Sequence, residues 1–188
     1  MSTTPHTSVC APVTGRGRHL LGTQTTETPV RISDKPRDEC GVLGLSTPHG
    51  EGVAQLAFFG LFALQHRGQE AAGIAVSDGK RSRLHKEAGL VSTVFTPEAL
   101  APLTGYHAIG HTRYSTTGSN AERNIQPFLV ETMHGPLSVA HNGNLVNADK
   151  LREGLLKRGA GLSSSSDSEV LALMLAATEG DTWEHRLS

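Results

Sequence analysis

Two cysteines, one tryptophan and two tyrosines are all that 188 residues supply of those types, and aromatics make up only 4% of the chain. One of the two thiols, Cys10, lies in a stretch of Ser, Thr and Pro, so a disulfide-stapled fold is not expected and a reducing compartment, the cytoplasm, is. No apolar run approaches the ~20 residues that cross a bilayer, and the start lacks a charged segment followed by an apolar one, which argues against membrane insertion and secretion. Net charge is scarce too: 17 Lys and Arg against 18 Asp and Glu leave −1, with no footprint for nucleic acid or an anionic membrane. There is no G-x-S-x-G elbow and no G-x-x-x-x-G-K-[ST] loop. Histidines stand at 66, 107, 111, 134 and 141 without H-x-x-x-H, C-x-x-C or D-x-D company, so neither a metal nor a cofactor is expected in this chain. What remains is the length of one globular domain, 37% hydrophobic, suited to a small neutral or zwitterionic ligand.

Residues 1 to 38 hold Ser, Thr, Pro and Arg, with Glu27 the one acidic residue before Asp34, and show neither helical nor strand periodicity. This reads as a disordered leader. Its basic, hydroxyl-rich make-up also suits a transit segment, but Pro5, Pro12 and Pro29 interrupt any amphipathic helix. Composition changes at Cys40, where a short apolar strand begins, so the expected division is a leader or propeptide over 1–39 and a folded domain over 40–188. Spacing predicts a helix over 52–66 that buries Val53, Leu56, Ala57, Leu61 and Leu64. It also predicts a strand over 73–77 and a hairpin at Asp78-Gly79 leading into 81–85. Further strands are expected over 108–112, 127–132 and 137–141, with a turn at His134-Gly135-Pro136. Two helices follow, one capped by Asn147 and one opened by an S-x-x-E capping box of Ser166 and Glu169. Strands mixed with helices give an α/β (α+β) class.

Four places can carry chemistry. Cys40 opens a buried strand and is followed by Gly41, which would let a substrate or a backbone approach the sulfur closely; the plainer alternative is an inert buried thiol. Asn142-Gly143 at a strand end can present a side-chain amide beside a backbone N–H, the donors of an oxyanion hole, and is also the commonest short turn. Arg113 ends a strand before a hydroxyl-rich loop, and its guanidinium fork suits a carboxylate. Asp167 can accept from a ligand's ammonium, or equally stabilise the start of its own helix.

Five ordered segments resemble class II glutamine amidotransferases: Cys40-Gly41-Val42-Leu43-Gly44, Leu64 to Gly73, Gly110-His111-Thr112-Arg113-Tyr114-Ser115-Thr116, Ala140 to Leu145, and Ser166-Asp167-Ser168-Glu169. The wording around Arg67 and Arg113 is most similar to the amidophosphoribosyltransferase branch. The resemblance covers residues 40 to about 180 and implies a four-layer α/β/β/α N-terminal-nucleophile sandwich. It makes Cys40 the nucleophile and the Cys40 α-amine the proton acceptor, once the leader is removed at Glu39-Cys40. Asn142 and Gly143 become the oxyanion donors, Arg113 the holder of the substrate α-carboxylate and Asp167 that of its α-ammonium. Arg67 and Gly68 order the wall beside the nucleophile, and Tyr114 to Ser119, Thr116 included, resembles the mobile glutamine loop.

The implied reaction is hydrolysis of glutamine to glutamate and ammonia through a Cys40 thioester. The ammonia would be destined for phosphoribosylamine synthesis from phosphoribosyl diphosphate in purine biosynthesis. A phosphoribosyltransferase domain that takes the ammonia, in cis or in trans and with a divalent ion such as Mg, has no counterpart in these residues. The family's last strands after the helix ending near Gly180 are also missing, so the expectation is a fragment with weak or no activity of its own, and a homo-oligomer when full length. Three alternatives stay open: the glutaminase domain of a sugar-phosphate or asparagine-type amidotransferase, a stand-alone glutaminase, and a non-catalytic glutamine-binding fragment.

Overall fold

Small and apolar residues dominate the stretches around 41–46, 71–77 and 107–113, and strands form there because such side chains pack flat on both faces of a sheet. The computed structural model describes residues 39–49, 52–114 and 122–187, all within one unit, Pro36–Ser188. The expected leader, Glu39 apart, lies outside the described residues, as does Cys10. The first half of the unit runs β1 (Gly41–Ser46), α1 (Val53–Ala63), a 3-10 turn (Gln65–Arg67), β2 (Ala71–Ser77), β3 (Ser82–Ala88), α2 (Val91–Val94), α3 (Pro97–Leu100) and β4 (His107–Arg113). Its strands form one antiparallel sheet in the order β1-β4-β2-β3. The Asp78-Gly79 hairpin is where the sequence places it: the Asp78 carboxylate accepts from the backbone N–H groups of Lys80 and Arg81 at 2.9 and 2.7 Å, and Gly79 takes φ 85°.

Register fixes what each face sees. Gly41 pairs with Thr112, Ala72 with Thr112, Ile74 with Gly110 and Val76 with Ala108, so these residues share the face covered by α1. There Val53, Ala54, Ala57, Leu61, Ile74, Val76, Val91, Val94, Phe95, Leu100 and Leu103 form one apolar cluster, each large aliphatic side chain contributing about 2 kcal/mol on burial. Leu56, expected on the buried side of α1, is instead half exposed, together with Phe59 and Phe62. The α1 sequence is apolar all round, so spacing alone could not choose which side meets the sheet. Thr96 caps α3, its hydroxyl accepting from the Ala99 N–H at 3.3 Å, with Pro97 in the first turn.

The second half contains a 3-10 turn (Glu122–Asn124), β5 (Phe128–Thr132), β6 (Gly135–Val139), α4 (Ala148–Lys157), α5 (Asp167–Ala177) and α6 (Trp183–Leu187). β5 and β6 form a two-stranded antiparallel sheet on which α5 packs, and α4 packs on α5. Three expectations need correction here. Gly135 and Pro136 belong to β6, paired with Thr132 and Glu131, because the turn is made by Met133 and His134 and the short sheet leaves Pro136 an edge position. Asn147 precedes α4 without a side-chain cap; its carbonyl accepts from the Leu151 N–H at 3.1 Å instead. Ser166 caps α5 through the Ser168 N–H, but Glu169 does not close a capping box. Its carboxylate turns away to the N–H and hydroxyl groups of Ser163 and Ser164, four contacts of 2.6–2.8 Å that outbid a single backbone N–H.

Among the described residues no helix is long and apolar enough to cross a membrane.

Candidate active site

Cys40 stands one residue before β1, where alternation turns its side chain to the sheet face opposite α1. The thiol is bracketed by the residue just after the neighbouring strand β4: the Tyr114 N–H donates to Sγ and Sγ–H donates to the Tyr114 carbonyl, both at 3.4 Å. What the structure shows of Gly41 is close packing. A Cβ there would point to the helix side and meet Thr112 Oγ1 at 2.6 Å and Leu64 Cβ at 3.0 Å, so the glycine is needed for packing β1 against β4 and α1.

The open sheet face borders a cleft of about 830 Å³. Cys40, His111, Arg113 and Tyr114 line it from the sheet, Asn124 and Gln126 from the segment before β5, Asn144 to Lys150 from the α4 approach, and Ser165 to Asp167 from the start of α5. Arg67 lies behind Cys40, with Nε donating to the Cys40 carbonyl and Nη2 to the Glu39 carboxylate, each at 3.4 Å. Gly68 packs so closely on β4 that a Cβ would lie 2.7 Å from the Thr112 and Arg113 backbone, which holds the Arg67 turn against the strand end. Asp167 is mostly buried, and its Oδ2 accepts from the Leu145 N–H at 2.8 Å. The sequence left ligand binding and helix capping as the two roles for this carboxylate; the structure gives it a third, anchoring the loop after β6.

That loop carries Asn142 and Gly143. Its start is fixed by Gln126, whose buried side-chain amide accepts from the His141 N–H at 2.7 Å and donates to the His141 carbonyl at 3.1 Å. Its end is fixed by Asp167. Between these anchors Asn142 and Gly143 are exposed and do not belong to the cleft wall. Thr116 and the rest of the expected glutamine loop beyond Tyr114 lie outside the described residues.

Asn124, Gln126 and Lys86 carried no sequence signal, and the partners of Glu169 and the burial of His111 were not foreseen either. Asn124 does for Ser165 what Gln126 does for His141, accepting from its N–H at 3.0 Å and donating to its hydroxyl at 2.9 Å. Lys86 on β3 reaches across the open face to the carbonyls of Ile125 and Pro127 at 2.5 and 3.2 Å, and burial pulls its pKa below the usual lysine value. Burial raises the Glu169 pKa, but the hydrogen bonds from Ser163 and Ser164 outweigh it, leaving the carboxyl below its ordinary value. His111 is fully buried, and neither ring nitrogen has a hydrogen-bond partner among the described residues. Burial first, then the Arg113 charge, lowers its pKa from 6.5 to about 4, so the ring is neutral at ordinary pH. An unmet buried polar group of this kind costs about 1–3 kcal/mol. Among the described residues no group of three or more His, Cys, Asp or Glu could hold a metal ion.

Comparison with known proteins fits this geometry. A family model described as a glutamine amidotransferase domain matches residues 111–188. The chain is 56% identical over 152 residues to the amidophosphoribosyltransferase of Synechococcus elongatus, covering 80% of this chain and 31% of that relative. It is 45% identical over 176 residues to that of Mycobacterium tuberculosis, covering 90% and 33%. Among solved structures, one described as the allosteric regulatory enzyme of purine biosynthesis superposes with a TM-score of 0.71 at 41% identity, over 78% of this chain and 31% of that one. The glutamine phosphoribosylpyrophosphate amidotransferase of B. subtilis, complexed with ADP and GMP, gives 0.66 at 39%, over 79% and 31%. The chain therefore spans about a third of the length of the relatives it matches. With identities of 45–56% to curated relatives over most of its residues, a matching domain model and a shared backbone, it is a glutamine amidotransferase domain of the amidophosphoribosyltransferase family.

Proposed function

We propose that this domain hydrolyses glutamine to glutamate and ammonia with Cys40 as the nucleophile. The observation that carries the reading is the meeting of the Cys40 thiol, the Arg113 guanidinium and the Asp167 carboxylate on one polar cleft. Glutamine offers three matching groups, a side-chain carboxamide, an α-carboxylate and an α-ammonium. Arg113 takes the carboxylate, Asp167 the ammonium, and the thiolate attacks the carboxamide carbon, with Arg67 and Gly68 backing the nucleophile and Tyr114 bordering the substrate. The tetrahedral oxyanion is held by the Asn142 amide and the Gly143 N–H, a role that requires these two residues to move in from the exposed position described above; ammonia leaves, and water hydrolyses the γ-glutamyl thioester.

The proton acceptor is the Cys40 α-amine, freed by removal of residues 1–39. While Glu39-Cys40 is intact that nitrogen is an amide and no base; freed, its pKa near ~7.7–8.0 lies close to that of a thiol near ~8.5, so proton transfer is easy. On this reading the two sheets with α1 outside one and α5 outside the other are layers of an α/β/β/α N-terminal-nucleophile sandwich. The ammonia goes to a phosphoribosyltransferase domain, in cis or in trans, which uses phosphoribosyl diphosphate and a divalent ion to make phosphoribosylamine for purine synthesis. The working protein is cytoplasmic and homo-oligomeric.

The test is intact mass followed by a glutaminase assay. Mass should show loss of residues 1–39, and Cys40→Ser should lower glutamine hydrolysis by at least ~10³-fold, the scale of losing a nucleophile. Turnover that survives in Cys40→Ser would refute the assignment.

A further inference from the structure

Val42, His111, Gly73 and Lys86 stand opposite one another on β1, β4, β2 and β3, so one row of residues crosses the open face of the sheet beside Cys40. The far end of that row is a seat. At Gly73 a Cβ would collide with the Gln126 carbonyl, so a glycine there is what lets the segment before β5 lie down on the sheet. From β3 the Lys86 ammonium closes the seat, donating to the Ile125 carbonyl at 2.5 Å and to the Pro127 carbonyl at 3.2 Å, and it lies 4.9 Å from the centre of the Phe128 ring. Three successive carbonyls, those of residues 125 to 127, are thus set against β2 and β3.

From this segment hang the loops that face the sheet across the cleft. The Gln126 side-chain amide accepts from the His141 N–H at 2.7 Å and donates to the His141 carbonyl at 3.1 Å, directly before Asn142 and Gly143. The Asn124 amide accepts from the Ser165 N–H at 3.0 Å and donates to the Ser165 hydroxyl at 2.9 Å, close ahead of Asp167. Asp167 in turn holds the Leu145 N–H at 2.8 Å, so the two loops are also tied to each other. Cys40 and Arg113 belong to the opposite side, at the paired ends of β1 and β4. A glutamine gripped from both sides needs them a fixed distance apart.

We propose that Lys86 is a positioning residue for glutamine hydrolysis: by holding the Ile125 and Pro127 carbonyls to the sheet, it sets the spacing across the cleft between Cys40 and Arg113 on one side and Asn142, Gly143 and Asp167 on the other. Lys86 is not part of the cleft wall and acts only through the 124–127 segment. An ammonium suits the task, because its hydrogen bonds to carbonyls are charge-assisted and stronger than neutral ones. Asn142 and Gly143 swing in from an anchor at His141, and that anchor is only as well placed as Gln126. The proposal rests on the Cys40 glutaminase reading.

The experiment uses the processed full-length protein with Lys86→Met, Lys86→Arg and Gly73→Ala. Met keeps an apolar stem and loses the donors, Arg keeps donors, and Ala presses on the Gln126 carbonyl from the β2 side. Three readouts are taken: kcat and KM for glutamine, the rate at which iodoacetamide alkylates Cys40, and the melting temperature. Alkylation displaces iodide at carbon and needs neither the oxyanion donors nor Asp167, so it reports on the thiol alone. Lys86→Met should lower kcat by about 10–100-fold, the scale of an ångström's misplacement, and raise KM by about 3–10-fold as Asp167 shifts. Alkylation should stay within about 2-fold of wild type, because the thiol sits on the other side of the cleft. Lys86→Arg should recover much of kcat, and Gly73→Ala should repeat the Lys86→Met pattern with the lysine intact.

A kcat within about 3-fold of wild type in folded Lys86→Met overturns the assignment whatever the melting temperature does, because the lysine would then serve stability alone. So does alkylation falling in step with kcat, which would place Lys86 on the thiol, or a folded Lys86→Arg that loses as much kcat as Lys86→Met. If Lys86→Met does not fold, Gly73→Ala and Lys86→Arg decide: a kcat within about 3-fold of wild type in the first, or a loss beyond about 10-fold in the second, overturns it. Wild-type protein that hydrolyses no glutamine overturns the glutaminase reading itself, whereas wild-type turnover unaffected by Lys86→Met removes only the role of Lys86.

Discussion

The two halves of this domain are held together by different physics. Between residues 43 and 108 the large buried side chains are almost all apolar, and α1, α2, α3 and the four-stranded sheet share one cluster. From residue 122 onward the burial of Ile125, Phe128, Leu155 and Val170 is supplemented by directional ties: Gln126 to His141, Asn124 to Ser165, Glu169 to Ser163 and Ser164, and Arg152 to the carbonyls of Ser164 and Ser166 at 2.9 and 3.1 Å. Apolar burial is non-directional and supplies stability; hydrogen bonds supply position. Every loop that borders the cleft opposite the sheet is held by the second kind.

Substitutions can break that comparison or sharpen it. Leu61→Ala, in the apolar half at 0% exposure, should cost about 3 kcal/mol in urea unfolding, the cavity scale for a buried leucine. A pH series isolates His111 at the junction. Because its folded pKa of about 4 lies below the unfolded 6.5, the unfolded chain binds the proton first, and stability should drop by about 3 kcal/mol as pH falls from 6.5 to 4. His111→Leu should remove that slope; a slope between pH 6.5 and 5 that persists in the variant would contradict the assignment.

Glu169→Gln probes the polar half and should cost about 2 kcal/mol, while amide exchange at 163–166 should speed up more than exchange in α1. Its carboxyl titrates below its ordinary value, so the stability it contributes is present above pH 4.5 and is lost as pH falls below that, a window under the one set by His111. If Glu169→Gln cost as much as Leu61→Ala and loosened both halves alike, the division would fail. The smallest effect belongs to Glu39→Ala in the unprocessed chain: its pair with Arg67 at 3.4 Å is half exposed, and thermal unfolding should register less than about 0.5 kcal/mol.

Much of the apolar half was legible in the sequence, because strands of small alternating residues, the Asp78-Gly79 turn and the spacing in α1 are local signals. Leu56 escaped because which side of an all-apolar helix meets a sheet is decided by the sheet. Thr96-Pro97 was a local cap signal that the periodic spacing passed over. Cys40 and Arg113 stood out as members of motifs, and the register of β1 on β4 explains why residues so distant in the chain share one cleft. The polar ties across the cleft were hidden for a physical reason, even where a residue such as Glu169 had been singled out. Asn124, Gln126, Lys86 and Glu169 work through partners 5 to 41 positions away, and an amide or a lysine that clamps a distant loop looks the same in sequence as one that faces water.

Gly73 joins the two halves. The Gln126 carbonyl occupies the space that any side chain on this part of β2 would fill, with Lys86 closing over it from β3. All four strands of the platform, and every member of the apolar cluster, are encoded before residue 114. On the ribosome the seat for Gln126 can therefore be finished before Gln126 emerges, so the later segment is threaded onto an existing template instead of searching for one. The order of synthesis thus permits the platform to form before the segments that close the cleft have left the ribosome.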